Sequence, residues 1–311
     1  MMNKSYEKIN QIFEDGKALI GQGKVASYIP ELSKVNPDQL GLYIISGEGY
    51  NIALGDYQTK FSMQSIIKVV LFICAIIERT SEEVLSKVTV EPTSSSFNSI
   101  VNLELKNANR PLNPFINAGA IVTVSLLKET DSTGKVNKVL ELLKKMANND
   151  DINYNEQVYL SEKATGSRNR ALAYYMHSTG ILEGDVEEIL DTYFKLCSVE
   201  ITCEDLANIA YVIAKDGYSE KRQEQLFEER IARIVRTVMA LCGMYDASGI
   251  YAVEVGLPSK SGVGGGIMSV SLKRNGLGIG VFSPELDDKG NSLAGQYILE
   301  QLSKLFSLSI F

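Results

Sequence analysis

Long apolar runs are missing from this sequence: the longest, Val69 to Ile77, lies between Lys68 and Glu78 and falls far short of the ~20 residues a membrane-spanning helix needs. No Lys/Arg-rich run occurs either, and a net charge of -7 leaves no broad basic surface to neutralise phosphates. Neither a membrane nor a nucleic acid is expected as a partner. The first residues, Met1 to Asp15, mix Lys4, Glu7, Lys8 and Glu14 with apolar positions, so they lack the uninterrupted apolar core of a secretory signal. Their spacing predicts a short amphipathic helix, and the location expected from the missing signal is cytoplasmic. Histidine occurs once, at His177, and the four cysteines, Cys74, Cys197, Cys203 and Cys242, form no CxxC pair. That set has the wrong spacing for a zinc site, and no metal or other cofactor is expected. The cysteines read as small buried apolar residues in a reducing compartment. With one histidine, any Ser-His-Asp or Cys-His relay must use His177, and no GxSxG elbow exists to serve it. His177 ends a helical pattern and reads as structural.

What is present is ordinary globular composition: 311 residues, 45% hydrophobic and 22% charged, enough for one large domain or two small ones. Gly41-Leu42-Tyr43-Ile44-Ile45 and Tyr50-Asn51-Ile52-Ala53-Leu54, separated by Gly47-Glu48-Gly49, read as a hairpin. After Gly55-Asp56 and Ser62-Met63-Gln64-Ser65, an apolar stretch runs to Ile77 without Gly or Pro; its length makes it a buried helix, with Ser65 in the first turn. From about 81 to 242 the pattern is mostly helical, with faces in Val136 to Met146, Arg170 to Met176, Val186 to Leu196, Cys203 to Lys215 and Arg230 to Leu241. Beyond Gly243, Tyr251 to Val255, Ile267 to Leu272 and Leu277 to Phe282 read as three strands in meander order, and Ser292 to Phe306 returns to helical spacing. Strands at both ends with helices between imply one α/β unit: a sheet assembled from residues 1–80 and 243–311, covered by the first and last helices, plus a helical lobe from about 81 to 242.

Ser65-Ile66-Ile67-Lys68 puts a hydroxyl and an amine at i and i+3, on one face of a helix. A lysine can take a serine's proton only when its pKa is lowered toward neutrality, which apolar surroundings achieve. SxxK alone is a weak signal. Lys260-Ser261-Gly262, at the threshold of a strand and followed by Val263-Gly264-Gly265-Gly266, strengthens it: glycines let backbone approach a substrate and leave an amide N–H for a developing oxyanion. A phosphate loop is excluded by context, since a strand follows and neither GxGxxG nor Walker spacing is present. SxxK early and KSG late, on a strand beside the serine helix, resembles the serine β-lactamase and transpeptidase layout, an antiparallel sheet flanked by helices with a second helical lobe.

A more specific resemblance covers nearly the whole chain. Phe61 to Lys68, Arg110-Pro111-Leu112-Asn113-Pro114-Phe115-Ile116-Asn117-Ala118-Gly119-Ala120-Ile121, Ser161-Glu162 through Arg168-Asn169, Cys242-Gly243-Met244-Tyr245 and Lys260 to Ile267 are similar to blocks of the serine-dependent glutaminases. Tyr28-Ile29-Pro30-Glu31-Leu32 and Gly290-Asn291-Ser292-Leu293-Ala294-Gly295 extend the match. The resemblance implies hydrolysis of the L-glutamine side-chain amide through a Ser65 glutamyl-enzyme, with Lys68 as base and the backbone N–H groups of Ser65 and Val263 as oxyanion hole. Tyr245 and Tyr28 are then expected to help move a proton to departing ammonia. Glu162 is expected to hold the substrate ammonium, Asn117, Asn169 and Tyr193 its carboxylate or neighbouring groups, and Gln64 to border the pocket. Lys260 shapes the electrostatics of the pocket or orients Tyr245. A homodimer or homotetramer is implied as well.

The chain departs from the family pattern at Ser46-Gly47-Glu48-Gly49, where an Asp-Gly turn is usual, and at residues 131–136; neither touches a proposed catalytic position. It lacks the ankyrin extensions of animal members and resembles the compact bacterial type. Three other readings stay open: a D-alanyl carboxypeptidase or β-lactamase, which the missing signal opposes; a binding module without turnover; and an amidase for asparagine or another small amide. One methylene of pocket depth is worth only ~1–3 kcal/mol of discrimination.

Overall fold

The computed structural model describes residues 2–105 and 110–311. An amphipathic helix, α1 (Met2–Lys17), opens the chain, Met1 lying outside the described residues. The hairpin of β1 (Gly41–Ser46) and β2 (Tyr50–Gly55) follows. Next come α2 (Ile67–Glu78), two short helical turns at Ser81–Lys87 and Val101–Leu105, α3 (Asn117–Ser125), α4 (Ser132–Ala147), α5 (Glu156–Thr165), α6 (Ser167–Ser178), α7 (Val186–Cys197), α8 (Cys203–Ala214) and α9 (Glu229–Cys242). The chain closes with α10 (Ser248–Glu254), β3 (Ser259–Ser261), β4 (Gly266–Ser271), β5 (Leu277–Phe282) and α11 (Leu293–Phe306).

The five strands form one antiparallel sheet in the order β2-β1-β5-β4-β3. Its centre joins the two ends of the chain, since β1 pairs with β5 in the register Tyr43↔Gly280 and Ile45↔Gly278. Strand residues alternate between faces: Leu42, Ile44, Ile279 and Val281 pack with Ile9 and Phe13 of α1 and Ile298 and Leu302 of α11. Tyr43, Ile45, Met268 and Val270 point the other way, into the core that holds α2 and α8. A β carbon on Gly278 would stand 2.0 Å from the Ala207 carbonyl oxygen, and one on Gly280 2.3 Å from that of Cys203. The two glycines thus let the backbone of α8 lie directly on the sheet. Helix α8, read from sequence as part of the helical stretch, is therefore a sheet-covering helix.

Two features differ from the sequence reading. Tyr251 to Val255 is not a strand: it falls in α10 and its C-terminal cap. Tyr251 and Val255, four apart, face the core while Val253 is 83% exposed, a helical face that the β-branched composition concealed. The first turn at Ser65 is a separate 3-10 turn, Gln64–Ile66, leading into α2.

Candidate active site

Ser65 is held from two sides. Before it, Phe61 and Ser62 pair with Glu200 and Ile201 as a two-residue ribbon, and the Met63 N–H donates to the Val199 carbonyl at 2.7 Å. After it, α2 is buried along almost its whole length, which fixes the turn against the core. Gln64, immediately before the serine, has φ of 48°, a left-handed backbone that β-carbon residues adopt at some cost. The glycine loop after β3 approaches from the opposite side, where a β carbon on Gly262 would stand 2.4 Å from the Met63 carbonyl oxygen.

Lys68 is wholly buried, and its ammonium donates to the Asn117 Oδ1 at 2.7 Å and the Phe115 carbonyl at 3.3 Å. Both acceptors are neutral oxygens. Burial pulls the Lys68 pKa down to about 8, with Cys197 and then Glu162 acting the other way. The Tyr193 hydroxyl also donates to Asn117 Oδ1, at 3.1 Å, and Asn117 Nδ2 donates to Asn169 Oδ1 at 2.9 Å. Glu162 is buried on α5; desolvation raises its carboxyl to about 7, opposed by a hydrogen bond from Gln64 and the charge of Lys68.

Tyr245 enters from the turn after α9, also with positive φ, 54°. Its buried hydroxyl donates to the Ser261 carbonyl at 3.3 Å and is hydrogen-bonded with Ser65 and the Val263 N–H. Burial pushes the phenol up to about 12, so it is neutral and can donate near neutral pH. Lys260, wholly buried, stands 4.3 Å from the Tyr245 ring centre and donates to the carbonyls of Gly243, at 3.0 Å, and Ser261, at 2.5 Å. Burial and then the charge of Lys68 hold its pKa well below the usual lysine range. Tyr28 is 55% exposed at the rim, yet its phenol is raised by burial of the hydroxyl end, then by Tyr245 and Glu162.

The structure thus gathers Ser65, Lys68, Tyr245, Val263, Gln64, Glu162, Asn117, Asn169, Tyr193, Lys260, Ser261 and Gly262 around one buried point, with Tyr28 at its edge. Among the described residues no group of three or more His, Cys, Asp or Glu is arranged to hold a metal, and no helix is long and apolar enough to cross a membrane. Three neighbours escaped the sequence reading. Cys197, treated there only as core, hydrogen-bonds Tyr193 one turn away on α7 and lies within electrostatic reach of Lys68 and Glu162, its thiol pushed up to about 12 by burial; the four-residue spacing from Tyr193 was the available signal. Phe97 lies 5.0 Å from the Tyr245 ring, and its carbonyl accepts from the Asn117 N–H at 2.9 Å, a contact no local pattern announces. Ser62, two residues before Gln64, is the third.

Comparison with known proteins places the chain beside named glutaminases. Residues 23–311 match the family model described as glutaminase. A Clostridium tetani protein named glutaminase is 54% identical over 304 residues, covering 98% of this chain and 99% of its own. A Clostridium perfringens protein named glutaminase 2 is 48% identical over 303 residues, covering 97% and 99%. Among solved structures, the covalent complex of a Bacillus subtilis glutaminase with 5-oxo-L-norleucine, formed by reaction with 6-diazo-5-oxo-L-norleucine, superposes with a TM-score of 0.90 at 38% identity, covering 99% of this chain and 100% of that one.

Proposed function

The chain belongs to the glutaminase family, and from that premise we propose that it hydrolyses the side-chain amide of L-glutamine to L-glutamate and ammonia through an ester on Ser65. The observation that carries the reading is Lys68: one turn from a buried serine, wholly buried, bonded to neutral oxygens, with a pKa near 8. Such an amine is a usable base close to neutrality.

Ser65 Oγ attacks the carboxamide carbon as its proton passes to Lys68. The carbonyl oxygen takes up negative charge opposite the N–H groups of Ser65 and Val263, the latter exchanging its hydrogen bond to Tyr245 for the developing oxyanion. The C–N bond breaks as nitrogen takes a proton from Lys68, directly or through the neutral Tyr245 phenol, which Lys68 then reprotonates, with Tyr28 at the rim, and ammonia leaves. Water then attacks the ester, giving a proton to the base that returns one to Ser65 Oγ, and L-glutamate departs. Glu162 is a buried carboxylate beside Lys68 and Gln64 that can hold the substrate ammonium, while Asn117, Asn169 and Tyr193 offer amide and hydroxyl groups to its carboxylate. Lys260 holds the Tyr245 ring and the Ser261 carbonyl. Assembly as a homodimer or homotetramer and a cytoplasmic location are part of the same reading; light-scattering mass checks the first.

Ammonia release from L-glutamine, L-asparagine and D-glutamine by the wild type and Ser65→Ala tests the function. Release from L-glutamine alone, lost by a factor of about 10³ or more in the variant, is expected. A fully active, folded Ser65→Ala protein excludes the nucleophile, and preference for L-asparagine excludes the substrate. The diazoketone 6-diazo-5-oxo-L-norleucine is expected to add one adduct mass to the wild type and none to the variant.

A further inference from the structure

We infer that Ser62 is a positioning residue that locks the side-chain amide of Gln64 with its carbonyl oxygen toward the ligand, making Gln64 an acceptor for the substrate's α-ammonium beside Glu162. The inference rests on the L-glutamine reading above and deepens it.

It follows from counting protons. Ser62 and Gln64 are both buried. The Ser62 hydroxyl lies 2.9 Å from the Cys197 carbonyl oxygen, which can only accept, so the single hydroxyl proton is committed there. Toward Gln64, 3.1 Å away, Ser62 Oγ can then only accept, which fixes the amide nitrogen Nε2 on that side. Above pH about 7 the Glu162 carboxylate is likewise acceptor-only, and the hydrogen bond by which Gln64 holds that carboxyl down uses the second Nε2 proton. Both donors of the amide are used, and Oε1 is what Gln64 has left to offer. An ammonium beside Glu162 then meets a carboxylate and an amide carbonyl, whereas a flipped amide would meet it with N–H groups. Ser62 itself cannot easily drift, because it pairs with Glu200 and a β carbon on Gly264 would stand 2.3 Å from its carbonyl oxygen.

Steady-state kinetics of the full-length protein test this with Ser62→Ala. The KM for L-glutamine and the Ki of L-glutamate are expected to rise about tenfold, the size of one charge-assisted hydrogen bond, with kcat changed less than about threefold. The Ki of glutarate, which has both carboxylates and no ammonium, should stay within about twofold of wild type. Ser62→Thr, which keeps the hydroxyl, should restore both values; Ser62→Val, of the shape of threonine without the hydroxyl, should not. Unchanged KM in Ser62→Ala, an equal loss for glutarate, or a fall in kcat alone overturns the inference. Should the Ser62 variants fold poorly, Gln64→Leu carries the same test, and retained preference for L-glutamate over glutarate overturns it there. If the wild type releases no ammonia from L-glutamine, the functional reading fails instead.

Discussion

Two buried charges of opposite sign, Lys68 and Glu162, set how the site responds to pH. Glu162, raised to about 7, is an anion only above that value, and Lys68, lowered to about 8, is a free base only above its own. In the proposed mechanism both act in their deprotonated forms. The kcat/KM for L-glutamine should therefore fall as pH drops from about 8 to 6, and steeply below 7, where both groups are protonated. Glu162→Gln should raise KM and leave a shallower acid limb governed by Lys68 alone; a pH profile of the variant identical to wild type would remove Glu162 from binding. The amine also has a cost in stability. Its folded pKa lies below the unfolded value of 10.5, so folding is disfavoured wherever the unfolded lysine is charged, with the full cost, about 3 kcal/mol, below pH 8 and none above about 10.5. Lys68→Met is expected to melt higher than wild type at pH 7 while losing turnover, as seen by calorimetry.

At the scale of elements, the contact of α8 with β5 decides whether the sheet and the serine helix share a core. A methyl on Gly280 would meet the Cys203 carbonyl at 2.3 Å, and backbone cannot yield as a flexible side chain does. Gly280→Ala should cost about 3 kcal/mol or more in denaturant melts, against less than about 0.5 kcal/mol for Gly249→Ala, where nothing lies within 4 Å. The same elements show what a sequence discloses. The hairpin of β1 and β2, β4, β5 and the long helices were legible because their apolar periods of 2 and 3.6 persist for five residues or more. Tyr251 to Val255 was not, since five residues rich in β-branched and aromatic types fit either period, and the deciding fact, Tyr251 bonded to Ser259 at 2.8 Å, is tertiary. At the site, Ser65, Lys68 and the Lys260-Ser261-Gly262 strand could be proposed from spacing. Glu162, Asn169 and Tyr193 came only through resemblance, because one carboxylate or amide on a helix carries no local mark until folding brings it against Lys68. Phe97 was missed for the same reason, and Cys197 because its four-residue spacing from Tyr193 says nothing until Tyr193 is itself placed in the site.

For the whole molecule, burial governs the sulfur chemistry. All four cysteines are free and buried, and burial raises the thiols of Cys74, Cys197 and Cys242 to about 12 and holds Cys203 well above its usual value. The native protein should react with iodoacetamide at pH 7.5 far more slowly than its urea-unfolded form, without loss of turnover; rapid inactivation with a mass adduct on Cys197 would contradict this.

The pairing of β1 with β5 has a consequence for how the protein is made. Tyr43 leaves the ribosome more than 200 residues before its partner Gly280, a wait of roughly 10–40 s at about 5–20 residues per second. Over that interval the first hairpin has no central strand, and for most of it neither Tyr245 nor the Val263 amide has yet been added beside Ser65. A nascent chain thus carries the proposed nucleophile early and the rest of its site late, so abortive translation products should be inert toward the amide pool of the cell that makes them.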